Sequence, residues 1–193
     1  INYAIEGAVL NAGTAIKWLR DELEIIDNSS DSEAIAKLLD NNNGVYFVPA
    51  FTGLGAPYWD ANARGTICGI GRGTNKAHII RAALEASAYQ TYDLLEAIKK
   101  DGIDLKVLRI DGGMSANNFF CQFLADICNI KVERPKDLEM TAMGAARIAL
   151  IGLENNFSQK PIPVVSFAPN MDIETREGNL IGWQRAIKAT LTL

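Results

Sequence analysis

The stretch LRIDGGMSANNFF, residues 108–120, decides the fold class of this chain. Strand-forming residues run up to Asp111, two glycines follow, and small polar residues then open a helix that carries phenylalanines. In such a strand–turn–helix unit, Gly112 and Gly113 lie at the end of the strand, which is the edge where α/β sheets bind ligands. Two explanations stay open: the glycines allow a tight turn, or they leave the backbone bare for a flat ligand.

Asn117 falls on the first turn of the predicted helix 115–129. Free backbone N–H groups and the positive end of the helix dipole gather there. An asparagine amide can both donate and accept hydrogen bonds beside a base or a ribose. Alternatively, Ser115 or Asn117 is an N-cap, which requires no ligand. Spacing alone does not separate binding from capping.

Hydrophobic periodicity predicts the other elements around this unit. Strands are predicted at residues 45–51, 66–70, 106–110 and 130–135. Helices are predicted at residues 5–23, after an N-cap at Asp31 or Ser32, at 75–100, 115–129 and 139–152, and in a closing segment through 180–191. Because strands and helices alternate from Val45 onward, the fold class is α/β with a largely parallel or mixed sheet.

Composition excludes several functions. The chain has 193 residues, is 48% hydrophobic and carries a net charge of −4, as expected for one large globular domain. Without a basic stripe, nucleic acid is not an expected partner. No apolar run is long enough for membrane insertion. The three cysteines form no metal or disulfide pattern, and free thiols are typical of the cytoplasm.

Gly13 is unexpected inside the predicted first helix, where glycine costs about 1 kcal/mol relative to alanine. Lys17 follows one turn later on the same side, away from the apolar stripe of that helix. The pair could form a bare patch that faces a ligand, with a long donor beside it. The alternative is close packing against another helix.

A second glycine cluster contains Gly69, Gly71 and Gly73. Its spacing is G-x-G-x-G and not the dinucleotide fingerprint G-x-G-x-x-G, and the expected acidic residue further on is missing. We therefore predict a tight turn with glycines at positive φ. The lone His78 is predicted to start the following helix, because no other ligand residues accompany it and no metal site is expected.

Three segments carry a family resemblance: residues 48–70, 78–97 and 109–127. They contain VPAFTGLGAPYWDANARGTICGI, HIIRAALEASAYQTYDLLEA and RIDGGMSANNFFCQFLADI. These segments resemble the FGGY carbohydrate kinases, whose C-terminal signature is met at Gly65, Gly69, Ile70, His78, Ile79, Ala82 and Glu85. The stretch GLGAPYWD is most similar to the members that phosphorylate glycerol. The resemblance implies a ribonuclease H-like, actin-like ATPase lobe.

The resemblance also implies roles for particular residues. Gly113 and Asn117, with Gly112 beside them, would contact the adenosine part of ATP or ADP. Gly13 and position 17 would line the same pocket. Lys17 departs from the glutamine frequent in the family. Gly71 replaces the usual threonine or serine.

By the same resemblance, residues 1–193 would be the C-terminal nucleotide-binding lobe of a longer chain, without the first strands of the lobe. The phosphate loop, the glycerol-binding residues and the catalytic aspartate would all lie upstream of these residues, the aspartate near the start of the same lobe. Because no catalytic residue is expected here, the chain alone should not transfer phosphate from MgATP. We expect the full-length protein to be a homo-oligomer. A non-catalytic binding or scaffold module with the same fold is the alternative, and an NAD-binding domain ranks last.

Overall fold

The computed structural model describes residues 7–153 and 161–192. Its helices are α1 (Thr14–Asp21), α2 (Asp31–Lys37), α3 (Lys76–Lys100), α4 (Asn118–Cys128), α5 (Met140–Leu153) and α6 (Ile173–Leu191). Its strands are β1 (Tyr46–Val48), β2 (Thr66–Cys68), β3 (Val107–Arg109), β4 (Lys131–Pro135) and β5 (Val164–Phe167). A 3-10 turn at Gly113–Ala116 precedes α4. No helix in this described part is long and apolar enough to cross a membrane.

The strands form two small sheets. β1 and β2 pair antiparallel, with Phe47 opposite Ile67. In the second sheet β4 is central: it pairs parallel with β3 and antiparallel with β5. The prediction of a mixed α/β arrangement is therefore confirmed. β5 was not predicted, because the prolines that precede it indicate a connecting segment.

Helix α3 is the longest element and packs against both parts of the core. One cluster surrounds Tyr89, whose ring stacks on Trp183 at a centroid distance of 5.1 Å. The other cluster joins Ile16 and Leu19 of α1 to Phe47 of β1 and to the first turns of α3. Because α3 spans both clusters, it fixes the position of α1 relative to the C-terminal half.

The start of α3 is a capping box. The Asn75 side chain accepts hydrogen bonds from the Ala77 and His78 N–H groups, and His78 Nδ1 accepts one from the Asn75 N–H. This reciprocal arrangement satisfies N–H groups that a helix start leaves without partners. The prediction that His78 lies at the start of this helix is confirmed, because it is the third residue of α3.

Two predicted helix starts are wrong. α1 begins at Thr14 and not at residue 5, so Gly13 is its N-cap. The destabilisation expected of a glycine inside a helix therefore does not apply to Gly13. Residues 5 and 6, where the predicted helix begins, lie outside the described residues. α4 begins at Asn118 and not at Ser115, because the 3-10 turn intervenes and Asn117 has the extended backbone of an N-cap.

Asp93 of α3 ties two distant segments to the core. Its carboxylate accepts hydrogen bonds from Tyr58 Oη at 2.8 Å, Trp183 Nε1 at 2.7 Å and Gln184 Nε2 at 3.2 Å. Burial raises the pKa of Asp93, and these three donors oppose the rise. Tyr58 belongs to the long glycine-rich loop after β1, whereas the other two donors belong to α6. The carboxylate thereby fastens both segments to α3.

Candidate functional site

A cavity of about 410 Å³ opens between α1, α2, the first half of α3 and the 3-10 turn. Its lining residues are Gly13, Ile16, Lys17, Ser29, Ser30, Ser32, Glu33, Leu84, Gly113, Met114, Ala116 and Asn117. Four of the five predicted site residues therefore meet around one cavity, although they lie about a hundred positions apart in sequence. Gly112 is not among the lining residues; it precedes Gly113 and turns the chain with a φ of 82°.

The glycines at this cavity border open space. A Cβ added to Gly13 or to Gly113 would meet no described atom within 4 Å. The same is true of Gly112, but its left-handed φ disfavours any other residue at that position. Packing within the described chain therefore does not explain why Gly13 and Gly113 lack a side chain.

Asn117 lines the cavity and also caps α4. Its Oδ1 accepts a hydrogen bond from the Phe120 N–H at 2.9 Å, and its Nδ2 donates to Ser32 Oγ at 3.3 Å. The capping alternative is thus observed. Two of the N–H groups expected to be free at the α4 start, those of Asn118 and Phe120, are already bonded.

The cavity combines apolar walls with one positive and one negative side chain. Ile16, Leu84 and Met114 supply the apolar surface. Lys17 is exposed and forms no salt bridge among the described residues. A flat aromatic group can pack on the apolar walls while the ammonium group attracts an attached anion. The cavity has the volume of a small-molecule site.

Glu33 stands at the same cavity, but its oxygens are occupied. They accept hydrogen bonds from Lys37 Nζ at 2.5 Å, from the Asn118 N–H at 2.9 Å and from Asn118 Nδ2 at 3.2 Å. Burial pushes the pKa of Glu33 up, but the bonds from Lys37 and Asn118 outweigh burial and leave the pKa below its ordinary value. The carboxylate is therefore ionised at neutral pH and already paired.

Sequence reasoning missed the wall formed by residues 29–33. That segment reads SSDSE, which indicates only a polar helix start. Its place at the cavity depends on contacts with Asn117 and Asn118, 85 positions away. No group of three or more His, Cys, Asp or Glu side chains in the described ranges is arranged to hold a metal ion.

The fold and the cavity agree with the family comparison. The chain belongs to the FGGY family of carbohydrate kinases: residues 2–153 match the model of the C-terminal domain of that family. The predicted resemblance and the predicted ribonuclease H-like, actin-like fold are confirmed. This match ends before β5 and α6.

Among curated relatives, glycerol kinase of Vibrio cholerae serotype O1 is 54% identical, over 96% of this chain and 38% of the relative. Glycerol kinase of Brevibacillus brevis is 51% identical, over 99% of this chain and 40% of the relative. The chain thus spans about two fifths of the length of these relatives.

Solved structures place the chain in the same family. Plasmodium falciparum glycerol kinase with ADP superposes with a TM-score of 0.81 at 37% identity, over 93% of this chain and 37% of that protein. A xylulose kinase from Lactobacillus acidophilus superposes with a TM-score of 0.69 at 26% identity, over 94% of this chain and 37% of that protein. The α/β arrangement is therefore that of the FGGY kinases.

Proposed function

We propose that this chain is the nucleotide-binding C-terminal lobe of an enzyme that transfers the γ-phosphoryl group of ATP to glycerol. The observation that carries the proposal is the cavity that assembles Gly13, Lys17, Gly113 and Asn117. Similarity to glycerol kinases over nearly the whole chain supports the choice of acceptor. The relative from Plasmodium falciparum has ADP in its structure, which supports a nucleotide as the ligand.

The residues present fit a nucleotide. An adenine would pack between Ile16, Leu84 and Met114, and the bare backbone at Gly113 would admit the nucleoside closely. Lys17 would attract the phosphates, because an exposed ammonium group binds phosphate as a point charge. Mg²⁺ would arrive with ATP, since it is usually held by the phosphates and one or two carboxylates.

The lobe would comprise residues 1–193. In support, Asp93 binds side chains from the long loop and from α6, so the segment beyond the family match packs on the same core. The partner of this lobe would be the N-terminal lobe. The catalytic aspartate and the glycerol-binding residues would be supplied by the part of the full-length protein outside residues 1–193. Closure of the lobes would exclude water from the transferred phosphoryl group. Assembly into a homo-oligomer and a cytoplasmic location remain predictions.

Binding and transfer assays test the proposal. Calorimetric titration of the full-length protein with ADP and Mg²⁺ should show saturable binding, and the same titration with NADH should not. With MgATP, the full-length protein should phosphorylate glycerol in preference to xylulose or gluconate. The 193-residue chain alone should transfer no phosphate. ADP binding without transfer by the full-length protein would favour the non-catalytic module instead, and NADH binding would favour a dinucleotide site.

A further inference from the structure

Glu33 is the only acidic side chain among the lining residues of the cavity. An unpaired carboxylate beside a polyphosphate would oppose binding, because like charges repel. Glu33 is instead bonded to Lys37 and to two groups of Asn118. Its negative charge is therefore engaged by the protein and is not presented to the cavity as a free acceptor.

The bonds of Glu33 join α2 to the start of α4. The Asn118 N–H is one of the groups that α4 cannot satisfy internally, so Glu33 caps α4 from another helix. Ser32, the preceding residue of α2, accepts a hydrogen bond from the Asn117 side chain. Two consecutive residues of α2 thus hold the two residues at which α4 begins.

The same connection continues to the 3-10 turn. Asn118 Oδ1 accepts a hydrogen bond from Arg134 Nη2 at 3.1 Å. Arg134 Nη1 donates to the carbonyl oxygens of Ser115 at 2.6 Å and Ala116 at 3.1 Å. The turn that carries Gly113 is thereby linked through Arg134 and Asn118 to Glu33 of α2.

We propose that Glu33 is a positioning residue of the nucleotide site: it holds the α4 start and the 3-10 turn at the separation from α2 that a nucleoside requires. This inference rests on the proposed nucleotide-binding function. Glu33 acts through Asn118 and requires no contact with the ligand. Loss of Glu33 widens the cavity and weakens the binding of the nucleoside part of the ligand.

A charged ligand and an uncharged ligand separate this role from a direct charge effect. If Glu33 acts by position, its removal weakens the binding of adenosine and the binding of ADP by the same factor. If Glu33 acts only as a charge near the phosphates, its removal strengthens the binding of ADP and leaves the binding of adenosine unchanged. The positioning role therefore predicts weaker ADP binding in the variant, whereas the charge effect predicts tighter ADP binding.

The test uses the full-length protein, with adenosine and with ADP plus Mg²⁺, by calorimetry. Glu33→Ala should weaken both ligands on the order of tenfold, the effect of losing one hydrogen bond to a charged group. Glu33→Gln keeps the shape and one acceptor, so it should restore part of the affinity. In steady-state assays, Glu33→Ala should raise the KM for ATP and leave kcat near its original value.

Asp104→Ala is the matched control, because Asp104 is also a carboxylate paired with a nearby lysine, Lys106, but is exposed and does not line the cavity. It should change neither affinity. If Glu33→Ala fails to fold, as shown by thermal unfolding, Glu33→Gln alone decides. Unchanged affinities, or tighter ADP with unchanged adenosine, would overturn the positioning role. If the unaltered protein binds neither ligand, the proposed function itself fails, and the role of Glu33 fails with it.

Discussion

The turn at Gly69 and the turn at Gly112 both follow a short strand and both precede a helix. Both glycines have left-handed φ values, 79° and 82°. Their surroundings are opposite. A Cβ added to Gly69 would overlap the carbonyl oxygen of Gly44, whereas a Cβ added to Gly112 or Gly113 would meet no described atom within 4 Å.

The comparison shows that the sequence of a glycine turn does not indicate whether the glycine is needed for backbone packing or for a ligand. At Gly69 the missing side chain lets two backbone segments of the same protein approach each other. At Gly113 the missing side chain leaves space next to a cavity. The difference lies in what a Cβ would touch, and substitutions at these positions can measure it.

The largest effect is expected for Gly69→Ala. A left-handed φ costs an L-residue roughly 1–2 kcal/mol, and the steric overlap with Gly44 adds a similar amount, so the free energy of unfolding should fall by about 3 kcal/mol. Chemical denaturation followed by tryptophan fluorescence measures the change. Gly71→Ala is the control, because its Cβ would meet no described atom and its φ is not left-handed. Equal losses in the two variants would show that the contact with Gly44 does not constrain Gly69.

Gly113→Ala should have the reverse profile. The free energy of unfolding should stay within about 1 kcal/mol of the original, because the added Cβ meets open space. ADP affinity should fall at least about tenfold, because the methyl group occupies space assigned to the nucleoside. Calorimetry on the full-length protein checks this. Gly144→Ala, on helix α5, also places a Cβ in open space and should leave ADP affinity unchanged.

Asn117→Ala should give the smallest change. Loss of the α4 cap should lower the free energy of unfolding by about 1 kcal/mol. ADP affinity should fall roughly threefold if the residue mainly orients the cavity wall. Asp172→Ala removes the equivalent cap of α6, where Oδ1 accepts from the Thr175 N–H at 2.8 Å. It should match the stability loss without the affinity loss; a shared affinity loss would assign the effect of Asn117→Ala to stability.

Much of the fold could be predicted because periodicity is local. The pattern at residues 75–100 gave α3 nearly to the residue, since its apolar positions and its Asn75 cap agree. The N-terminal pattern misled because apolar spacing continues before Gly13, where α1 has not yet begun. The division of the strands into two sheets depends on pairing between distant segments, and no local pattern encodes it.

The candidate site, too, contains residues that could be predicted from the sequence and residues that could not. Spacing alone left Gly113 and Asn117 undecided between a turn and a ligand site, and the similarity to the FGGY kinases grouped them with Gly13 and Lys17. The structure brings these four to one cavity. Glu33 could not be predicted, because its importance comes from hydrogen bonds to a residue 85 positions away.

The carboxylate of Asp93 bears on where this protein can be divided. The family match stops at residue 153, yet Trp183 and Gln184 of α6 donate to Asp93. A chain cut after Leu153 would remove two of the three donors to this buried carboxyl group, and with them the Trp183 ring that stacks on Tyr89. The family match and the packed core therefore end at different places: α6 lies beyond the match at residue 153, yet it completes the packing around Asp93 and Tyr89.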